Sequence, residues 1–327
     1  MVFCYSETAP DAGPAVRESA QARHRMSSPV SFTHLLNPFP ARPGSEHAVA
    51  SRVTWQSVRA AHAMAAAAGI AVEVRALILP GDEAAVEPPT ASTVHLTRSV
   101  MDVAELTPRR PLPLIADLLT LGEQGCAGSH VIFSNMDIAL QPNFYTSVHD
   151  LVTRQLGPQV PFTVGRLNVD RTLADGPMEA LYAASGPLGL GYDCFVMPRG
   201  LIPKLDLGLC CIGAPHFDQL LYMELDALSG QRLRSIDDQR LTFHLGSDIA
   251  WAAMIDHVEF NLRESLGAIA RMRKTLDIPP GSLFDRLDRH HFRRNATLTS
   301  ALLRKVKRVP GLAELVLKVK RGLGRQF

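Results

Sequence analysis

The tripeptide Asn135-Met136-Asp137 follows an apolar run, His130-Val131-Ile132-Phe133-Ser134, that reads as a β-strand. A carboxamide and a carboxylate at the end of a buried strand offer oxygen atoms to whatever gathers there. That suits a hard divalent cation, Mg2+ or Mn2+, which takes few protein ligands and draws the rest from phosphate and water. Residues two apart in an extended segment point the same way, so Asn135 and Asp137 are expected to reach one ligand together, with Met136 facing the core. Taken by itself, an Asp after a strand is more often a turn or cap residue.

Further chemistry-bearing residues lie downstream. Arg166 and Asn168 end the strand-like run that begins at Phe162. A guanidinium there can meet a diphosphate or an acidic sugar, and a solvated surface position fits the same residues. Asp193 stands between the Pro- and Gly-rich stretch from Gly176 to Gly191 and the apolar run Cys194-Phe195-Val196-Met197. A carboxylate between a loop and a rigid strand can act as base toward an acceptor hydroxyl, or simply close a turn. Asp218 precedes the apolar segment Gln219-Leu220-Leu221-Tyr222-Met223, where it reads as a helix cap with a possible second role in acceptor handling.

These residues need a scaffold, and the pattern supplies one. Val30 to Leu36 reads as a strand closed by Asn37-Pro38, Val53 to Ala68 as a helix stopped by Gly69, and Ala71 to Leu79 as a second strand. Strand, helix, strand implies a βαβ unit with parallel pairing. The alternation continues with a helix from Pro113 to about Gly125, the strand before Asn135, a helix from Asn143 to Leu156 and the strand at Phe162. In an open sheet of this kind ligands collect beyond the carboxyl ends of the strands. The expected fold is a layered, Rossmann-type α/β domain with a mixed, mainly parallel sheet.

Composition agrees: 327 residues, 46% hydrophobic, 20% charged and a net charge of +2 describe a globular chain with a sizeable core. The five cysteines lack metal-finger spacing, so buried, reduced thiols and a cytoplasmic compartment are expected. No apolar run approaches the ~20 residues of a spanning helix. Residues 1–29 show no periodicity and read as a disordered lead.

Several segments in order resemble one family. They are Arg110-Pro111-Leu112-Pro113, then Phe133-Ser134-Asn135-Met136-Asp137-Ile138 with Pro142-x-Phe144-Tyr145, Gly165-Arg166-Leu167-Asn168, Gly191-Tyr192-Asp193-Cys194-Phe195-Val196, Leu207 to Gly213, and Leu241-Thr242-Phe243-His244-Leu245-Gly246-Ser247-Asp248-x-x-Trp251. Together, over roughly residues 30 to 262, they resemble bacterial GT-A-like glycosyltransferases, which carry a similar segment at the place of their DxD metal motif. The resemblance implies a GT-A-like nucleotide-sugar-binding domain over 30–265 and metal-assisted sugar transfer from a nucleotide-diphosphate donor to a carbohydrate or lipid-linked acceptor, as in polysaccharide biosynthesis. It implies Mn2+ or Mg2+ at Asp137 with His244 completing the site or touching the donor phosphates. It also places Asn37 near the nucleotide base and Asp248 near the donor. The chain departs from the family at Asn135, which stands where the first acidic residue of the motif is usual. A binding protein without turnover keeps the same motifs. A sugar-phosphate nucleotidylyltransferase is the other enzymatic reading, but it needs a Gly-rich basic loop after the first strand, and Asn37 to Gly44 is Pro-rich.

Residues 266–327 form a basic extension with Leu and Val at helical spacing between Arg and Lys residues, expected to pack on the domain or to lie on an anionic membrane at its inner face. Stacking aromatics are missing from its basic helical stretch between Leu302 and Val319, so nucleic acid is not an expected partner.

Overall fold

The computed structural model describes residues 29–189, 191–245 and 254–297. The expectations for the lead up to residue 28, for Asp248 and Trp251, and for the basic helices past residue 297 lie outside the described residues.

Among the described residues ten strands form two sheets: β1 (Phe32–Leu36), β2 (Val72–Ile78), β3 (Ser92–His95), β4 (His130–Ser134), β5 (Ile138–Leu140), β6 (Phe162–Val164), β7 (Arg166–Asn168), β8 (Cys194–Pro198), β9 (Arg234–Ile236) and β10 (Thr242–His244). Seven of them make a sheet in the order β3-β2-β1-β4-β8-β6-β9, with β5-β10-β7 as a second, small sheet. β1 is parallel to β2 and β4, and β2 to β3, while β8 runs antiparallel to both β4 and β6. The sheet is thus mixed and mainly parallel, as expected.

Side-chain alternation along the strands fills two cores. Val131 and Phe133 of β4 pack on one face with Ile115, Leu118 and Leu119 of helix α2 (Ile115–Glu123). Ile132 points to the other face, against Trp55 and Val58 of helix α1 (Glu46–Ala67) and Phe144 and Val148 of α3 (Phe144–Asp150). Period-two burial on both faces produces the helix–sheet–helix layering. Among the described residues no helix is long and apolar enough to cross a membrane.

Three elements differ from the sequence expectation for local reasons. Helix α1 starts at Glu46 rather than Val53, because the Ser45 hydroxyl accepts from the Ala48 amide at 3.2 Å and caps two extra turns. The run from Phe162 to Arg166 is two strands rather than one, since the chain leaves the large sheet at Gly165 and enters the small one. A Cβ at Gly165 would meet Asp237 Oδ1 at 2.5 Å, so glycine is required where the chain crosses. The stretch from Gly176 to Gly191 is not all loop, as it contains the short helix α4 (Met178–Tyr182).

Helices α5 (Phe217–Leu228) and α6 (Ile255–Thr275) complete the first core, and α6 runs unbroken through residues 265 and 266. Of the basic residues after it, Arg289 pairs with Asp285, and Arg293 with Asp288, so these cations serve the local packing.

Candidate active site

Connections leave β1 toward β2 and β3 but leave β4 toward the opposite edge, so the sheet has its topological switch between the carboxyl ends of β1 and β4. Ligands in open α/β sheets bind at such a point. A buried polar chain fixes this edge. His34 of β1 bonds Tyr145 Oη at 2.7 Å and Ser134 Oγ of β4 at 2.9 Å, and burial pushes its imidazole down to about 3, so it stays neutral. His34 carried no signal in the sequence reading; the Phe144-Tyr145 pair was its only trace.

Beyond Ser134 the chain turns at once, with the Ile138 amide bonding the Asn135 carbonyl at 3.2 Å. Asn135 and Asp137 are therefore not in an extended segment and do not share one direction. Met136 is buried in the core, as expected. The β4–β8 register pairs Ser134 with Cys194, which sets Asn135 opposite Asp193. The Asn135 carboxamide donates to Asp193 Oδ1 at 2.8 Å, and Arg166 Nη1 lies 2.7 Å from Asp193 Oδ2. Asp137 turns instead to the small sheet: His244 of β10 pairs with Ile138 of β5, and its Nε2 stands 3.4 Å from Asp137 Oδ2. Asn168 pairs with His244 in register on the other side of β10.

Five of the expected residues, Asn135, Asp137, Arg166, Asp193 and His244, thus meet in these contacts, and Asp218 is close by. Both Asp193 Oδ2 and Asp218 Oδ2 lie within 4 Å of where a Cβ on Gly191 would sit, at 3.8 and 3.5 Å. With φ at +102°, Gly191 needs to be glycine, and its missing side chain leaves room between the two carboxylates. Asp218 is in the first turn of α5 and accepts from Gln219 Nε2 at 2.8 Å and the Tyr192 amide at 3.4 Å. The turn before α5 is held by Asn261 of α6, whose amide nitrogen donates to the carbonyls of Cys211, Ala214 and Pro215. Asn37 is set differently. Its side chain is buried and donates to the Leu77 carbonyl at 2.5 Å, tying β1 to β2.

The environments push these carboxyl groups apart in acidity. Burial would raise Asp137, but the His244 hydrogen bond, its charge and that of Arg166 hold it below the usual carboxylate range. Asp193 rises to about 6, first by burial and then by the Asp137 charge, with Arg166 limiting the rise. Asp218 rises to about 7, again by burial first and then by the charge of Asp193. One ionised carboxylate beside two that titrate near neutrality is an arrangement found where protons are moved.

This geometry also gives a reason for Asn135. A carboxylate there would face Asp193 at contact distance, and like charges so placed raise each other's affinity for protons. Asn135→Asp is expected to move the Asp193 titration up by about one unit or more, followed by carboxyl 13C shifts in NMR. An unchanged titration would deny Asn135 that electrostatic role.

The residues present fit a divalent cation that takes most ligands from elsewhere. Asp137 Oδ1 is buried with no hydrogen-bond partner among the described residues, and the His244 imidazole lies beside Oδ2. Among the described residues no group of three or more His, Cys, Asp or Glu converges as a self-sufficient metal cage would.

No protein-family profile matches the chain, and no curated protein matches its sequence. Solved structures do show likeness. Staphylococcus aureus TarS, residues 1–349, has 8% identity and a TM-score of 0.49, covering 85% of this chain and 77% of that one. Glucosyl-3-phosphoglycerate synthase from Mycobacterium tuberculosis, in complex with Mn2+, UDP-glucose and phosphoglyceric acid, has 14% identity and a TM-score of 0.40, covering 83% and 87%. The catalytic domain of Drosophila β1,4-galactosyltransferase 7 with xylobiose has 12% identity and a TM-score of 0.37, covering 67% and 72%. At these values nothing about this chain's chemistry follows from them.

Proposed function

We propose that the chain is a glycosyltransferase that moves a sugar from a nucleotide-diphosphate donor to a hydroxyl of a carbohydrate or lipid-linked acceptor. The observation that carries this reading is Asp193, half-buried at the switch point between Arg166 and Asn135 and next to the Asp137–His244 pair. The ordered sequence motifs that resemble GT-A-like enzymes support it.

In this reading Asp137 and His244 hold Mn2+ or Mg2+, which when bound neutralises charge on the departing diphosphate. Arg166 adds a fixed cation on the same side. Asp193 takes the proton of the acceptor hydroxyl as that oxygen bonds to the anomeric carbon of the donor. The bond from that carbon to the diphosphate breaks, and its electron pair leaves with the nucleoside diphosphate. Attack from the face opposite the leaving group inverts the anomeric centre. Asp218, across the space left by Gly191, keeps the acceptor end polar. Asn168 stays with the donor side through its register with His244. The four described cysteines are buried and free, which supports a reducing, cytoplasmic setting.

The experiment is a thermal-shift screen of UDP-, GDP-, CDP- and dTDP-sugars with and without Mn2+, on wild type and Asp137→Ala. At least one nucleotide sugar is expected to stabilise wild type in a Mn2+-dependent way, by about 2.7 kcal/mol at a hundredfold excess over Kd. Asp137→Ala is expected to lose the Mn2+-dependent part. Failure of every nucleotide with wild type ends the donor-site reading, and stabilisation that survives Asp137→Ala unchanged removes the metal from that residue.

A further inference from the structure

One helical turn after Asp218 on α5 stands Tyr222, at the rim of a cleft that the reaction centre does not use. Tyr192, adjacent to Asp193, stacks on Tyr222 of α5 with ring centroids 3.8 Å apart and planes 7° from parallel. Tyr222 in turn lines a cleft of about 410 Å3, together with Asp226, Gln231, Ser282 and Arg286. A volume of this size is in the range that holds small organic ligands. The cleft is therefore joined to Asp193 through two stacked aromatic residues.

Its chemistry is that of polyhydroxyl recognition. An amide, a carboxylate and a guanidinium are planar groups that bond two neighbouring hydroxyls at once. Tyrosine rings offer flat apolar area with a polar rim, which suits the C–H faces of a pyranose. The lining of the cleft carries one anion and one cation, Asp226 and Arg286, so its formal charge is balanced. A neutral ligand fits that balance better than an anion does.

Gln231 adds an independent sign. Its φ is +62°, a left-handed conformation in which glycine is far easier than any residue with a side chain. The backbone there is fixed by its own amide bonding the Asp226 carbonyl at 2.7 Å. A residue with a side chain at such a position, lining a cleft, is the kind of backbone outlier from which a role for that side chain is inferred.

We propose that this cleft is a distal acceptor subsite, which seats a second, uncharged sugar unit while the first presents its hydroxyl to Asp193. The acceptor is then a carbohydrate chain of at least two units. This rests on the transferase reading above and adds the acceptor class to it.

The test measures binding to the full chain by calorimetry and saturation-transfer NMR. The probes are glucose, galactose, xylose and N-acetylglucosamine, each as mono-, di- and trisaccharide, with the nucleotide-sugar screen run in parallel. In at least one series the disaccharide is expected to bind tenfold or more tightly than the monosaccharide. Gln231→Gly, which relieves the backbone and so is expected to fold, should cancel that gain while leaving nucleotide stabilisation unchanged; Gln231→Ala is the companion variant. Equal binding of mono- and disaccharides, unchanged disaccharide binding in both variants, or no binding by any sugar overturns the subsite. If those results come with intact nucleotide stabilisation, the transferase reading survives them. A length preference cancelled by Gln231→Gly without any nucleotide binding supports the sugar cleft and ends the transferase reading instead.

Discussion

Replacing Asp193 by Asn is expected to lower sugar transfer about a thousandfold, in the middle of the range for loss of a general base. This corresponds to about 4 kcal/mol of transition-state stabilisation. Asn keeps the size and can still meet Arg166 and Asn135, so the geometry survives while proton acceptance does not. The pH profile separates this from simple disruption. With Asp193 raised to about 6, only the ionised form can take the acceptor proton. Wild-type transfer is therefore expected to rise through pH 6 and level off above it, and the residual rate of Asp193→Asn to lack that limb. Nucleotide stabilisation should stay within a few degrees of wild type, because Asp137 and His244, which the proposal assigns to the donor, are both kept in this variant. A variant with wild-type rates, or one that keeps the limb at pH 6, would remove Asp193 from the role of base.

The strands that carry the site were legible because each is a continuous apolar run. β4 and β8 are buried on both faces, and their carboxyl- and amino-terminal ends could be read directly from where polarity begins. What joins those ends was not legible. Asn135 meets Asp193 only because β4 and β8 pair antiparallel with Ser134 opposite Cys194, a register set by packing across 58 residues of sequence. The three-residue strands β5 and β9 are too short for any periodicity to show. Edge strand β3 is Ser-Thr-Val-His with only alternate residues partly covered, which reads as loop. His34 and Asn37 sit in or beside an apolar run and look like ordinary strand residues until the bonds to Tyr145, Ser134 and Leu77 are seen.

The departure from an acidic residue at position 135 reads differently in this geometry. In the sequence it stands as a departure from the family motif, in keeping with a binding protein without turnover. In the structure the carboxamide donates to Asp193, and Asp137 faces His244. Under the proposed function the change of residue type separates two tasks, with charge for the cation at Asp137 and a neutral hydrogen-bond donor for Asp193.

Asp218→Asn is expected to make the protein more stable, and only at neutral to alkaline pH. Asp218 is buried beside Asp193, and burial with that neighbouring charge raises it to about 7 from an ordinary value of 3.8. A carboxyl group whose affinity for protons is higher in the folded chain favours folding while it is protonated. That contribution is full below the ordinary value near pH 4 and is lost as pH rises through 7. Above pH 8 the folded state must hold the charge, at a cost on the order of 4 kcal/mol. Asn carries no charge at any pH, and its carbonyl can still accept from Gln219 and the Tyr192 amide. Thermal unfolding should therefore show a gain on the order of 10 °C at pH 8, shrinking to nearly nothing at pH 4. A gain that does not depend on pH, or a loss at pH 8, would mean that Asp218 is not a strained charge. The same variant separates stability from the reaction, since Asp218, raised to about 7, is still protonated and uncharged while Asp193 titrates near 6. The acidic limb of transfer is therefore expected to stay near pH 6 in Asp218→Asn, so that one substitution moves stability at pH 8 without moving that limb.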